Sequence, residues 1–404
     1  MIVDRRVVIA ALGTGQLLAW GSTFYLPAVL AEPIARDTGV AVPTVFLAFS
    51  VAMGGSALVG PWAGRTIDRW GGRPVLIATN LLFAAGLVAL AAASGPVSLF
   101  LAWGLIGLAM GAGLYEAAFA TVVRLYGSGA RDAITGITLL GGFASTVGWP
   151  LSAWMAAEWG WRGACVGWAV LHLGVALPLH AALPRPSAAG GDVAPAADGG
   201  TGGASAPPPE GAAGAVADVP GGAGRTMALL AFVFAATWFI TTAIAAHGPR
   251  VLQAAGTGAA AALAVGALIG PAQVLARLMQ FGPLRRADPL GVARLAALGH
   301  PIGVAALLVA GPALAPVFAV LHGAGGGLMT IARGALPLLY FGPIGYGERQ
   351  GRLMLPTRIA QALAPYLSGL ALERWGAAAL WGSALLGLSA WLALRALRGP
   401  ARQA

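Results

Sequence analysis

Twelve apolar runs of about 18–28 residues follow one another along the 404-residue chain, and short polar gaps separate them. They cover roughly 7–30, 43–63, 75–93, 97–123, 133–157 and 162–183, then 226–247, 258–281, 294–311, 314–341, 353–372 and 376–397. A helix rises 1.5 Å per residue, so about 20 apolar residues cross a hydrocarbon core of about 30 Å. Only 9% of the residues are charged and 58% are hydrophobic, against about 25% and about 45–50% in a soluble domain. That excludes a water-soluble enzyme and a disordered chain. Alternation at every second residue is missing, which excludes an outer-membrane barrel. A single cysteine, Cys165, cannot form an internal disulfide. The sequence specifies an all-α, multi-pass membrane protein with twelve transmembrane helices.

The positive charge is carried by 24 arginines and no lysine. With the N-terminus in the cytoplasm, seventeen arginines fall in inner loops and tails and only Arg36, Arg162, Arg250 and Arg374 fall outside. That asymmetry is what the positive-inside rule demands, with both termini cytoplasmic. The Asp4-Arg5-Arg6 opening followed by apolar sequence has the outline of a signal peptide, but the run is too long for one and lacks a cleavage site. It reads as the first span. Residues 184–225 are Pro, Gly, Ala and Ser with a few acids, a composition that cannot bury enough apolar surface to order itself. They divide the chain into an N-terminal half, 1–183, and a C-terminal half, 226–404, with a flexible cytoplasmic linker between.

The halves repeat one another. Gly111-x-Gly113-Leu114 with Leu125-Tyr126 matches Gly325-x-Gly327-Leu328 with Leu339-Tyr340, 214 residues on. Pro150, Ser152, Glu158 and Gly160 match Pro365, Ser368, Glu373 and Gly376 at a spacing near 215. Two six-helix halves related along the membrane normal are a plan for secondary transport, with substrate held between them.

The gap after the second run reads Gly60-Pro61-Trp62-Ala63-Gly64-Arg65-Thr66-Ile67-Asp68-Arg69-Trp70-Gly71-Gly72-Arg73. Its Gly64, Asp68, Arg69, Trp70, Gly71 and Arg73 resemble the signature loop of the major facilitator superfamily, with Gly72 where a further basic residue is expected. A decayed counterpart runs from Gly282 to Arg294. The resemblance implies the major facilitator fold and a loop that governs conformational exchange rather than substrate choice. Asp68 can accept hydrogen bonds from Arg73 or from helix N-terminal amides, and such a latch would hold the cytoplasmic ends of the halves together.

Four charges lie inside spans: Glu116, Arg277, Arg333 and Arg358. Charges there are costly and usually line a cavity or pair with one another; long arginine side chains can also snorkel to the interface. We assign Arg277 and Arg333 as charge partners of an anionic substrate, because a guanidinium fork matches a carboxylate. Gly270 to Arg277 is similar to the corresponding helix of monocarboxylate and oxalate/formate porters, where an intramembrane arginine binds the carboxylate. Those monocarboxylate porters place an acid where this chain has Gln273, and a lysine in a span where this chain has none. Glu116 is therefore the proton-coupling candidate, and Gln273 joins the substrate-side residues. Trp20, Phe24 and Tyr25 suit either a cavity wall or anchoring and packing, and Tyr25 is included with the substrate-side candidates. Trp149, Trp154, Trp159 and Trp161 read as an interfacial belt.

The five histidines show no pair at metal-ligand spacing, and the glycine and proline neighbours of His247, His300 and His322 suggest helix ends. No Ser/His or paired-Asp constellation sits in the spans, and no phosphate-binding glycine loop with Lys-Ser/Thr is present. The expectation is a transporter and not an enzyme, without cofactor, metal or nucleic-acid partner, working as a monomer in the bilayer. The substrate expected is a small, monocarboxylate-like anion, moved with or without protons. The alternative is an efflux antiporter for drug-like compounds, although Trp149 splits the glycine-proline pair that many such exporters carry in the fifth span. Arginine-rich, lysine-free, Ala/Gly-rich usage associates the chain with a GC-rich bacterium and its inner membrane.

Overall fold

A computed structural model describes residues 4–184 and 222–399. The greater part of the expected linker lies outside the described residues. In chain order the helices are α1 (Arg5–Gly21), α2 (Pro27–Thr38), α3 (Val42–Trp70), α4 (Gly72–Ala91), α5 (Pro96–Gly113), α6 (Tyr115–Tyr126), α7 (Arg131–Gly141), α8 (Ala144–Leu171) and α9 (Leu177–Ala181). After the undescribed stretch come α10 (Ala223–Ala254), α11 (Ala259–Ala267), α12 (Ile269–Leu278), α13 (Pro289–Ala310), α14 (Ala315–Phe341), α15 (Tyr346–Trp375) and α16 (Ala379–Ala396). No strand occurs among the described residues. All twelve apolar runs fall on helix, and eight helical stretches are long and apolar enough to cross a membrane, the longest of them carrying α5 to α9.

Several runs are not single rods. The run expected over 7–30 ends at Gly21 and restarts at Pro27. The Ser22 and Thr23 hydroxyls turn back onto the Ala19 carbonyl, and Pro27 can neither donate nor sit beneath a helical carbonyl four residues earlier. The run expected over 258–281 breaks at Leu268, and Pro271, three residues on, would crowd the carbonyl of Ala267, the last residue of α11, in a continuous helix. The run over 97–123 breaks at Leu114, which is extended (φ −81°, ψ −166°), so that a helix N-terminus opens next to Glu116. Gly160 (φ 70°) and Gly376 (φ 53°) make the left-handed turns that reverse the chain at equivalent places in the two repeats.

Glycines bring helices into close contact. A Cβ on Gly107 or Gly111 of α5 would stand 2.5 Å from the Ala52 or Ser56 carbonyl of α3. One on Gly323 or Gly327 of α14 would stand 2.5 Å from the Ile269 or Gln273 carbonyl near or in α12. Both pairs are small-xxx-small stripes, the packing that lets backbones touch where lipid provides no hydrophobic drive between helices. One buried cluster gathers residues of 8–183 with Leu338 and Tyr346, and two others gather residues of 230–397.

Each set of helices also holds a buried histidine network, and the reading of His247, His300 and His322 as helix ends is corrected, since all three lie within helices. Ser22 Oγ meets His172 Nε2 (2.9 Å), His172 Nδ1 meets Asn80 Oδ1 (3.0 Å), and Asn80 Nδ2 meets His180 Nδ1 (2.7 Å), tying α1 and α4 to the α8–α9 rod. His300 and His322, both well inside helices, join through their Nδ1 atoms (3.1 Å), and His300 Nε2 meets Ser383 Oγ (2.9 Å). His247 lies within α10 and donates to the Pro365 carbonyl. Trp149, Trp154 and Trp159 are exposed, as a belt requires, but Trp161 is buried. Its indole donates to Asp37 at 2.8 Å, and Arg162, lying over the Trp161 ring, donates to the same oxygen at 2.6 Å. These two donors, Trp161 first, hold the Asp37 carboxyl below its ordinary range.

Candidate functional site

At the end of the molecule that carries the motif loop, α3 crosses α15 at backbone distance. Gly60 and Gly64 face Gly351 and Gly347, and a Cβ on Gly64 would overlap the Gly347 carbonyl. Asp68, one turn beyond Gly64, places Oδ1 and Oδ2 on the amides of Gly347 and Glu348, 2.9 Å each, in the first turn of α15. There the amides have no intrahelical acceptor and carry the positive end of the helix dipole, so a carboxylate is stabilised. Glu348 in turn takes Arg352 at 2.6 Å and Arg65 at 3.5 Å. Of the other motif residues, Arg69 is exposed in the last turn of α3 and Arg73 is part-buried in the first turn of α4. Gly71 adopts φ 81° between them, a conformation that side chains avoid. At the same end Arg131, at the start of α7, donates to the Ala287 carbonyl (2.9 Å) just before α13.

The start of α15 reaches inward as well. Tyr346 donates to the Gly334 carbonyl (2.9 Å) and Gln350 to the Arg333 carbonyl (3.2 Å), so the crossing grips α14 at the level of Arg333.

One to two turns deeper lie the intramembrane charges. Glu116 Oε2 accepts from Arg358 at 3.0 Å, and Glu116 Oε1 stands 3.5 Å from Arg333 Nη1. Glu116 comes from α6, at the helix N-terminus created by the Leu114 break, and its arginines come from α14 and α15. The ion pairs therefore span the two repeats, and Arg358, left outside the substrate pair in the sequence reading, is the nearest partner of Glu116. Arg277, in the last turn of α12, reaches among the described residues Gln273 Oε1 and Thr330 Oγ1, both at 3.5 Å. Its Nη1 lies against the bare Cα of Gly142, where a Cβ would overlap it.

These guanidinium groups are under-satisfied. Among the described residues, Nε, Nη1 and Nη2 of Arg333 and Nε and Nη1 of Arg277 are buried without a hydrogen bond, as is Glu116 Oε1. Buried charged groups without partners cost several kcal/mol, and native structures leave few such atoms unexplained. Part of the compensation is aromatic. The Arg333 guanidinium lies 4.6 Å from the Trp238 ring centre and 5.7 Å from that of Tyr115, and Arg358 lies 6.0 Å from Trp20. Trp20 and Trp238 stack across the repeats at 6.1 Å, and Trp20 also meets Phe24 and Tyr115. Trp20 is buried in this layer, which settles its alternatives in favour of the interior over interface anchoring. Tyr25 lies in the turn between α1 and α2, edge-on to Phe24 and Trp149, within electrostatic reach of Tyr115. Tyr115 is within reach of both Arg277 and Arg333. A small crevice beside the cluster is lined by Ser56, Gly60, Glu116, Gly351, Met354 and Arg358.

Three arginines against one glutamate leave two positive charges in excess, beside a wall of aromatic rings. Such a site suits an anion with an apolar body. Sequence reasoning missed Tyr115, Trp238, Thr330, Gln350 and Gln361, the last of which accepts from Arg358 at 3.4 Å. The signal for the glutamines was available, since amides in apolar spans need partners; nothing in the sequence distinguishes Trp238 from a packing residue.

Comparison with known proteins follows the same lines. The family model for the Major Facilitator Superfamily matches residues 12–316. A 38 kDa protein encoded in the 23S RNA operon of Thermoproteus tenax is 33% identical over 162 residues, which is 39% of this chain and 41% of that protein. The chain thus aligns with less than half the length of this relative. Among solved structures, the proton:xylose symporter XylE, bound to 6-bromo-6-deoxy-D-glucose, superposes with a TM-score of 0.72 at 12% identity over 96% of this chain and 94% of its own. The human organic anion transporter MFSD10 (TETRAN) superposes with a TM-score of 0.68 at 15% identity over 97% of this chain and all of its own. With its helices, its motif loop and a family match over most of its length, this multi-pass membrane protein belongs to the Major Facilitator Superfamily.

Proposed function

We propose that the substrate of this secondary, alternating-access transporter is a small organic anion. The observation that carries the reading is the set of buried arginine N–H groups on Arg277 and Arg333 that have no hydrogen-bond acceptor. A carboxylate is the planar, bidentate acceptor that satisfies a guanidinium fork. Gln273 and Thr330 orient Arg277, and Tyr25 and Tyr115 stand at the edge of the same space. Glu116, facing Arg333 and Arg358, is the proton-coupling group, because it is the acid among those guanidiniums. The fold by itself selects no substrate: XylE is a proton:xylose symporter and MFSD10 an organic anion transporter, and both share the architecture. The charge of the site supports an anion.

Alternating access follows from where the halves touch. Asp68 on the α15 amides, with Gly64, Arg69, Gly71 and Arg73 shaping the loop, is the latch that closes the motif end. Breaking it opens that end. The chain works as a monomer in a bacterial inner membrane, termini and linker in the cytoplasm, with domains of 1–183 and 226–404.

Uptake into proteoliposomes tests the substrate class. Radiolabelled butyrate or phenylacetate should accumulate, and other small carboxylates should compete, whereas sugars and organic cations should not. Competition by apolar cations with none by carboxylates would sink the anion reading and promote an efflux antiporter, a role to which the ring cluster around Trp20 and Trp238 would lend itself.

A further inference from the structure

We propose that Gln16 is a positioning residue for Glu116: its amide holds the break between α5 and α6 in the shape that aims Glu116 at Arg333 and Arg358. The break creates the need. In a continuous helix the Ala117 amide would donate to the Gly113 carbonyl, four residues earlier. Leu114 is extended, however, and Ala117 donates to the Leu114 carbonyl at 3.0 Å. Buried Gly113 thereby loses its helical donor. Gln16, fully buried on α1, replaces it with Nε2 at 2.8 Å.

The residue type fits the task. Gln16 Oε1 accepts from the Trp20 indole (3.3 Å), one turn further along α1. An indole only donates and a backbone carbonyl only accepts, so the amide has a single orientation and both of its ends are used. Methionine would make neither bond, and a carboxylate would turn a second acceptor on Gly113. The consequence falls on Glu116, three residues after Gly113 and in the first turn of α6. Returning Leu114 from ψ −166° to a helical ψ of about −42° would re-aim α6. It would carry the carboxylate off Arg358 and Arg333, now 3.0 and 3.5 Å away. Trp20 stacks on Trp238 of the second repeat, so one amide ties the break to the contact between repeats. Nothing in this role depends on the charge of the substrate.

Site-resolved modification of Glu116 by dicyclohexylcarbodiimide, read by peptide mass spectrometry on the full-length protein in detergent, tests the role. This apolar reagent reacts with membrane-embedded carboxyls that guanidiniums do not engage. Gln16→Met keeps the bulk of the side chain and removes both bonds. An orphaned buried carbonyl is costly enough that the rate at Glu116 should rise about tenfold over wild type. Leu114 is the N-cap of α6 and makes no side-chain cap bond. Asparagine, branched like leucine at Cγ, is among the best N-caps, so Leu114→Asn supports the same break independently. The Gln16→Met/Leu114→Asn double variant should return to within about twofold of wild type. A Gln16→Met rate unchanged from wild type, with or without a lower melting temperature, is what packing alone gives, and it overturns the inference. So does a raised rate that Leu114→Asn leaves in place. Should Gln16→Met fail to fold, recovery of folded protein by Leu114→Asn decides for the inference, and no recovery decides against it.

Discussion

The two repeats share their packing and divide their chemistry. Gly107 and Gly111 seat α5 on α3 as Gly323 and Gly327 seat α14 on α12, and Gly160 and Gly376 turn the chain at matching points. Yet Asp68 and Glu116 of the first repeat meet the α15 amides, Arg333 and Arg358 of the second, and the reverse pairing, Arg65 of the first repeat with Glu348 of the second, lies at the exposed motif end. The helices differ accordingly. The first repeat breaks at Leu114 and so presents a helix N-terminus at Glu116, whereas α14 runs unbroken past Arg333. Symmetric packing builds the frame, and complementary charge joins its two parts: Glu116 of the first repeat takes its arginine partners from the second.

The largest effect that breaks this division should come from Arg333→Ala. Removing one partner of a buried pair costs about 3–5 kcal/mol, so the uptake rate in proteoliposomes should fall more than about 100-fold. Next comes Gly64→Ala, whose new Cβ meets the Gly347 carbonyl. The motif end should fail to close, and maleimide labelling of a cysteine introduced at exposed Arg69 should rise together with loss of transport; the native Cys165 is buried and stays silent. Asp68→Asn is milder. It leaves one α15 amide a neutral carbonyl acceptor and sets the Asn NH2, which cannot accept, against the other; at about 1.5–3 kcal/mol for a charge-assisted bond the same labelling should increase roughly tenfold. Gly142→Ala sharpens the comparison from the other side, because it displaces Arg277 without removing a charge. Anion affinity should drop several-fold in equilibrium binding, with the melting temperature nearly kept.

The smallest effect lies within the first repeat, at exposed Asp37. Its folded-state carboxyl is lowered by Trp161 and Arg162, so the contact contributes above the ordinary carboxylate range and is lost as the pH falls through the lowered value. Wild type and Asp37→Asn should differ slightly in melting temperature at pH 7 and converge below about pH 4. Transport at neutral pH should be unchanged, since this pair does not join the repeats.

Much of this frame is legible in the residues. Apolar length marks each helix, arginine marks one end, and the Gly64–Arg73 stretch marks the crossing. The breaks were less visible: Pro27 and Pro271 signal theirs, but Leu114 carries no local sign, and its extended backbone is known only from the fold. Charges inside spans identify Glu116, Arg277 and Arg333 as residues of consequence. Which of them pair is a matter of distance across the repeats, so Arg358 against Glu116 and Trp238 beneath Arg333 had to come from the structure. His247, His300 and His322 misled for a related reason. Glycine and proline beside them resemble helix ends in soluble proteins, but membrane helices tolerate both where neighbouring helices satisfy the backbone.

The central claim is that the arginines of the second repeat hold an anion, and thermal stability of the purified protein tests it most directly. A ligand that binds only the folded state raises the melting temperature with its occupancy. Wild type, Arg277→Ala and Arg333→Ala would each be heated with a panel of small carboxylates, neutral sugars and apolar cations. The account predicts a rise with carboxylates alone, lost in both variants. A rise with sugars or cations that both variants keep would contradict it.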